Sequence, residues 1–195
     1  MKKRKYEAEQ TKQTIVEGAK ALFAAKGYAA TSMMDICEAT GCSKGSIYHH
    51  FQSKEDLFLY LAEQAFTNSW QTWHEQSGED RSATEQLYAY ADYFVDTLQK
   101  PLNKAGEEFM IRVGADSEAG LRFMEIIQNY MKGFEDLVQA GLDSGEWRGE
   151  SVQELSFIIL SYYSGLSDSY HLMDKAAMKE LFRKATTLLL DGIRK

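Results

Sequence analysis

The sequence predicts an all-α protein, on three observations. A single proline, Pro101, in 195 residues leaves the chain almost without its strongest helix breaker. Turn signals are sparse, each a short Gly- or Ser-containing interruption. Between them apolar residues recur three and four apart, the spacing of helices with one buried face. With 44% apolar and 12% aromatic residues, the chain can bury a core.

The elements follow in order. Gln10 to Lys26 places Ile15, Ala19, Leu22 and Phe23 on one stripe and ends in "KGY", a basic last turn followed by a glycine C-cap. In "TSMMDICEAT", Ser32 is an N-cap with Asp35 three positions on, and Gly41 stops the helix after two turns. Ile36, Cys37 and either Ala39 or Thr40 face inward. Ser43 caps a third, brief helix through His50. Ser53 with Asp56 caps a long fourth helix, carrying Leu57, Leu61, Ala65 and Phe66 and running through "FTNSWQTWHEQ" to a break at "SGEDRS". Segments near Ala83–Gln99 and Asn103–Val113 precede a long helix from about Ser117 to Leu142, with Phe123, Ile127, Tyr130, Phe134 and Leu137 on one face. "GLDSGEWRGE" ends it.

The last two helices differ in kind. "SVQELSFIILSYYSGLSDSYHLM" is apolar on nearly every side, and "AAMKELFRKATTLLLDGI" carries Met178, Leu181, Phe182, Ala185, Leu188 and Leu189. That much apolar surface suggests burial against a second subunit. Phe157, Leu160, Leu181 and Leu188 are the expected interface residues of a homodimer.

Two short helices around a glycine turn form a helix-turn-helix. In "GCSKGSIYHHF", Ser43, Gly45 and Ser46 are small enough for a helix's first turn to approach a duplex, its amides and hydroxyls meeting phosphates. Lys44 supplies a donor to phosphate or guanine. Tyr48 and His50 can donate to backbone oxygens, and His49 can reach a base edge or a thymine methyl. Ile47 and Phe51, four apart, look inward. Lys54 is expected to clamp a flanking phosphate, and Ser32 is counted among the contacts. The same aromatic helix could be plain core, but the charge distribution argues otherwise. Residues 1–60 hold 9 Lys and Arg against 7 Asp and Glu, and the remainder 13 against 22, within an overall charge of −7. The basic excess is led by Lys2, Lys3, Arg4 and Lys5 and belongs where phosphates would be met.

Other chemistries find little support. No His, Cys or carboxylate stands three or four residues from the His49–His50 pair to complete a metal site, and His74 and His171 are remote. There is no phosphate loop and no His-Glu metal spacing, and serines sit at caps and turns, so no enzyme, cofactor or metal is expected. No apolar run approaches a membrane span, and the charged start lacks a signal peptide's apolar stretch. Cys37 and Cys42 make no disulfide framework. A cytoplasmic protein without a membrane partner is expected.

"GYAATSMMDICEATGCSKGSIYHHFQSKEDLF" closely resembles the DNA-binding domain of TetR-type repressors over residues 10–60. It departs at Cys42, where valine is commoner, and at His49, where tyrosine is frequent; the second change bears on operator choice. The resemblance puts Ser43, Lys44, Gly45, Ser46, Tyr48, His49, His50 and Lys54 on the positions such repressors use to touch DNA. It also implies a dimer in which the last two helices pair with their copies. Within the family, "SKGSIYHHF", "KEDLF", the tryptophan-rich end of the fourth helix and "SGEW" look most like the quaternary-ammonium (multidrug) efflux repressor type.

The expected architecture is an N-terminal three-helix DNA-binding domain over 1–53, then an effector-binding and dimerisation domain over 54–195, with about nine helices in all. Between the fourth and eighth helices, aromatic stripes read individually as core and carboxylates as solvated surface. Together, Trp70, Tyr93, Tyr130 and Tyr162, with Glu107, Glu108 and Glu125 to offset charge, suit a flat or cationic hydrophobe. Acyl chains and neutral amphiphiles fit the Met and Phe content as well. The expected function is a ligand-responsive repressor that binds a palindromic operator as a dimer and is released by a small hydrophobic effector, aromatic or cationic ones included. The competing reading is a helical ligand-binding protein or enzyme carrying an incidental helix-turn-helix.

Overall fold

The computed structural model describes residues 2–78, 81–98 and 100–193, and among them nine α-helices and one short 3₁₀ turn. In chain order these are α1 (Lys2–Lys26), α2 (Met33–Thr40), α3 (Lys44–His50), α4 (Lys54–Ser77), α5 (Ala83–Thr97), α6 (Lys100–Val113), α7 (Glu118–Asp143), α8 (Val152–Ser167), the 3₁₀ turn (Asp168–His171) and α9 (Lys175–Ile193). Two expected starts fall short. α1 begins at Lys2 rather than Gln10, because residues 2–9 carry no apolar rhythm to announce a helix. α6 begins at Lys100 rather than Asn103. Pro101 sits in its first turn, where a missing N–H breaks no helical hydrogen bond. Gln99, the expected end of α5, lies outside the described residues.

The chain packs as two compact units, Met1–Ala65 with Gln99–Ile126, and Phe66–Leu98 with Ile127–Lys195. This division differs from a boundary at residues 53 and 54. The first turns of α4, all of α6 and the start of α7 belong with the helix-turn-helix, because their apolar residues supply its core.

In the first unit Ile15, Ala19 and Phe23 of α1, Ile36 of α2, Ile47 of α3 and Leu57 of α4 are fully buried. A chain of rings extends this core to the later helices. Phe58 lies edge-on to Phe23 (5.3 Å between centroids) and stacks on Phe109 of α6 (4.7 Å), which meets Phe123 of α7 (5.2 Å). Gly18 lets α2 come close to α1, since a Cβ there would stand 2.3 Å from the Thr40 methyl. Ala65, expected inward, is exposed.

In the second unit α5 lies against α9, and their shared core includes Leu87, Tyr90, Phe134, Ile159, Tyr163 and Phe182. "SGEW" fastens the end of α7 to the start of α5. Glu146 accepts the N–H groups of Ala83 (3.1 Å) and Thr84 (3.0 Å), two donors that a helix N-terminus leaves unpaired. Trp147 Nε1 donates to Thr84 Oγ1 (3.0 Å), and its buried indole lies against Gly141, where a Cβ would stand 2.3 Å away. On the surface Arg183 pairs with Asp92, and Lys175 and Lys179 with Asp96, linking α9 to α5.

Candidate nucleic-acid interface and aromatic cluster

The turn between α2 and α3 is built from local signals. Ser32 and Asp35 form the capping box at the start of α2: Ser32 Oγ accepts the Asp35 N–H, and the Asp35 carboxylate accepts from Ser32. Those bonds, and one from Lys26, hold the Asp35 carboxyl well below the usual carboxylate range. Gly41, at φ 68°, takes the left-handed C-cap and donates to Cys37 O. Ser43 then caps α3, its Oγ accepting the Ser46 N–H (3.1 Å).

This cap and the burial of Ile47 and Phe51 fix which way α3 faces. Ser43, Lys44, Gly45, Tyr48 and His49 are exposed, Tyr48 at 42%, and Ser46 and His50 are half-buried. Lys44 Nζ lies 5.8 Å from the Tyr48 ring centre. Burial pushes the His50 pKa below its ordinary value, and the charges of His49 and Lys12 add to this. Gly45 has no internal reason to be glycine. A Cβ there would meet nothing within 4 Å, yet glycine weakens a helix relative to alanine.

Ser32 and Lys54 are placed differently from the rest. Ser32 is exposed but committed to its cap. Lys54 turns into the loop between α1 and α2, where its ammonium donates to Tyr28 O (2.9 Å) and Thr31 O (2.8 Å) and lies 4.1 Å from the Tyr28 ring centre. Burial lowers its pKa. With two N–H groups engaged, one is left for a phosphate. Lys12, absent from the sequence-based site, lies 3.8 Å from the Tyr60 ring centre; its only sequence signal was its place on α1.

Three of the expected effector residues come together in the second unit. The Trp70 indole stacks near Tyr90 (5.8 Å) and meets Tyr130 (5.3 Å), while Trp73 packs on Tyr90 (5.1 Å) and Tyr93 (5.5 Å). Trp70 Nε1 donates to Tyr130 O (2.8 Å), and the Tyr90 and Tyr130 hydroxyls share a hydrogen bond of 2.7 Å. Tyr93 OH donates to Ser69 O (2.6 Å). Burial is the largest effect raising the pKa of both Tyr90 and Tyr130, which keeps them neutral donors. Gly133 lets the indole lie on α7, since a Cβ there would stand 2.7 Å from the Trp70 ring.

The other four expected residues divide between the two units. Tyr162 is 37% exposed on α8, and its neighbour Tyr163 is the buried one, bonded to Thr186 Oγ1 (2.6 Å). One step along a helix turns a side chain by about 100°, so only one of the pair can face the core. Glu107 and Glu125 are exposed on the first unit. Glu108, also of that unit, accepts the Ala29 N–H (3.0 Å) and covers Gly27, whose φ of +83° and missing Cβ make room for the carboxylate. Of the expected interface residues, Phe157 and Leu188 are 60% and 69% exposed, and Leu160 and Leu181 are half-buried. Among the described residues no helix is long and apolar enough to cross a membrane.

Residues 15–61 match the model of bacterial regulatory proteins of the tetR family, and residues 66–195 that of the QacR-like protein C-terminal region. Over 185 residues the chain is 25% identical to the HTH-type transcriptional regulator QacR of Staphylococcus aureus, covering 94% of this chain and 98% of that one. Over 52 residues it is 50% identical to the HTH-type transcriptional repressor AcnR of Corynebacterium glutamicum, 27% of this chain and 28% of that one. The fold is similar to that of the fatty acid degradation regulator FadR from Bacillus halodurans, with a TM-score of 0.77 at 19% identity over 93% of this chain and 99% of that one.

Proposed function

Because the chain belongs to the TetR family of bacterial regulatory proteins and carries a QacR-like C-terminal region, we propose that this transcriptional regulator is a ligand-responsive repressor. It binds a palindromic operator as a dimer in the cytoplasm through the outward face of α3. The carrying observation is that face itself. Ser43, Lys44, Gly45, Tyr48 and His49 are exposed together on a helix anchored from behind by Ile47 and Phe51, and a Cβ at Gly45 would meet nothing within 4 Å among the described residues. A phosphodiester backbone brought against the first turn of α3 explains the glycine there.

The effector reading rests on the cluster of Trp70, Tyr90, Tyr93 and Tyr130. Its faces suit a flat, cationic or hydrophobic ligand by stacking and cation–π contact. Such a ligand lowers operator affinity only by as much as it prefers the released form, so a tenfold effect needs about 1.4 kcal/mol of preference.

Gel-shift on the region upstream of the protein's own gene tests the operator, with a retarded band at low salt expected. Its absence with dimeric protein refutes the repressor reading. Cationic dyes, acyl-CoA thioesters and neutral antibiotics, screened by tryptophan quenching and then by operator competition, test the effector. Release by acyl thioesters alone removes the cation from the reading and leaves the repressor.

A further inference from the structure

Two lysines of the first unit lie over tyrosine rings, and they differ in what else their ammonium groups meet. Lys54 Nζ, 4.1 Å from the Tyr28 ring centre, donates to two carbonyl oxygens as well. Lys12 Nζ lies 3.8 Å from the Tyr60 ring centre and 5.7 Å from that of Phe51. Among the described residues no carboxylate pairs with Lys12 and no oxygen accepts a hydrogen bond from it. A ring face attracts a cation without occupying its N–H groups, so Lys12 keeps three donors for an acceptor from outside the chain.

The rings fix where those donors stand. Phe51 is buried and closes α3, and it meets Tyr60 of α4 at 5.4 Å between ring centres. Lys12 is half-buried on α1, so three helices hold its ammonium at the C-terminal end of α3. His50 is beside it: the charge of Lys12 acts on that imidazole, together with those of His49 and Glu9. Burial, His49 and Lys12 all disfavour the charged imidazole and only Glu9 favours it, which leaves His50 mostly neutral at neutral pH. A neutral imidazole still carries one N–H donor.

The spacing suits a duplex. α3 has seven residues and is about 10 Å long, and the major groove is about 12 Å wide. Lys44 opens this helix and Lys12 stands at its close. A helix seated in the groove with a cation at either end meets sugar–phosphate backbone at both.

Resting on the operator reading, we propose that Lys12 and His50 form a phosphate seat at the end of α3, the ammonium supplying charge and the imidazole a directed hydrogen bond to the same phosphate. The seat takes the clamping part expected of Lys54, and base readout stays with the outward face of α3.

The test uses the full chain and two labelled duplexes, one from the region upstream of its own gene and one of random sequence, titrated over a range of salt concentrations. Lys12→Met keeps an apolar stem over the rings and removes the charge. It should weaken binding to both duplexes by the same factor, and the slope of log K against log salt for the dimer should become shallower by about 2, one contact of about 0.9 from each protomer. Lys12→Arg should keep the wild-type slope. Ethylation interference on the upstream duplex should show one phosphate in each half-site that matters to wild type and no longer to Lys12→Met, and His50→Phe should release that same phosphate. An unchanged slope and interference pattern in Lys12→Met overturn the seat while the operator reading stands. A loss confined to the upstream duplex at the wild-type slope also overturns it, because Lys12 would then only support α3. Release of a different phosphate by His50→Phe overturns the shared seat. Should Lys12→Met fail to melt cooperatively, acylation of the wild-type lysines by a succinimidyl ester, read by mass spectrometry, decides: bound duplex protects Lys12 if the seat exists, and an unprotected Lys12 overturns it. A wild-type chain that retains neither duplex at low salt defeats the operator reading, and this inference with it.

Discussion

Single residues in this chain are judged by what surrounds them, and two glycines show it. Both Gly45 and Gly141 lie in helices, where alanine is intrinsically better by about 0.5–1 kcal/mol. Gly45 faces open space, whereas a Cβ at Gly141 would stand 2.3 Å from the Trp147 ring. Gly45→Ala is expected to raise the melting temperature and, on the proposed operator reading, to weaken operator binding, because the new methyl would stand between α3 and the DNA. Gly141→Ala is expected to lower the melting temperature, since overpacking costs about 1–3 kcal/mol and outweighs propensity. Thermal melts and gel-shift on both variants check the opposite signs. A Gly45→Ala protein that binds operator as well as wild type would separate that glycine from recognition. The two lysines divide in a similar way. Lys44→Ala should leave stability unchanged and reduce the salt slope of operator binding by the dimer by about 2, one phosphate contact from each protomer. Lys54→Ala should cost stability as well, because Tyr28 O and Thr31 O lose a charged donor.

At the scale of elements, the start of α5 and its seam with α9 carry an acid-sensitive contribution. Burial pushes the Glu146 carboxyl up, but hydrogen bonds from Thr84, Ala83 and Ser144 outweigh it and hold it below the usual carboxylate range. Hydrogen bonds from Lys175 and Lys179 lower the Asp96 carboxyl likewise. Both groups have folded-state pKa values depressed below their unfolded ones. Their stabilisation is therefore present above the ordinary carboxylate range and is lost as pH falls through it, below about pH 4.5. Glu146→Gln should cost about 1 kcal/mol at neutral pH, the usual value of a helix cap, and should flatten the fall in stability between about pH 5 and 3. Denaturant melts across that range check it, and an acid limb as steep as wild type would assign the sensitivity to other carboxylates.

At the scale of the whole molecule, α8 and α9 each pack one apolar face inward and leave a second one outside. Leu155, Ile159 and Tyr163 are buried while Phe157 and Ile158 are exposed; Met178, Phe182 and Leu190 are buried while Leu188 is exposed. Apolar residues on an outward face call for a partner surface, and a second copy of the same helices supplies a self-complementary one. On the proposed dimer reading, Leu188→Glu puts a charge in the seam between the copies and should cost several kcal/mol of association. Light scattering at micromolar concentration is expected to show monomer, and a fully dimeric variant would put the interface elsewhere.

Features decided by short-range interactions were legible in residue type and spacing. The Ser32–Asp35 capping box, the Gly41 C-cap, the Ser43 cap and the inward pair Ile47 and Phe51 bind residues within a few positions of one another, which was enough to place the helix-turn-helix and its outward face. The α1 start escaped because residues 2–9 hold no apolar period to read. Where long side chains go was settled only when distant elements met. Lys54 reaches carbonyls 23 and 26 residues away, Glu108 an amide 79 away, and Trp70 a carbonyl 60 away. The same packing buries Tyr163 rather than Tyr162. Both are tyrosines on a helix apolar nearly all round, so residue type could not tell them apart, and only packing against Thr186 and Phe182 of α9 fixed the helix rotation that buries one and exposes the other.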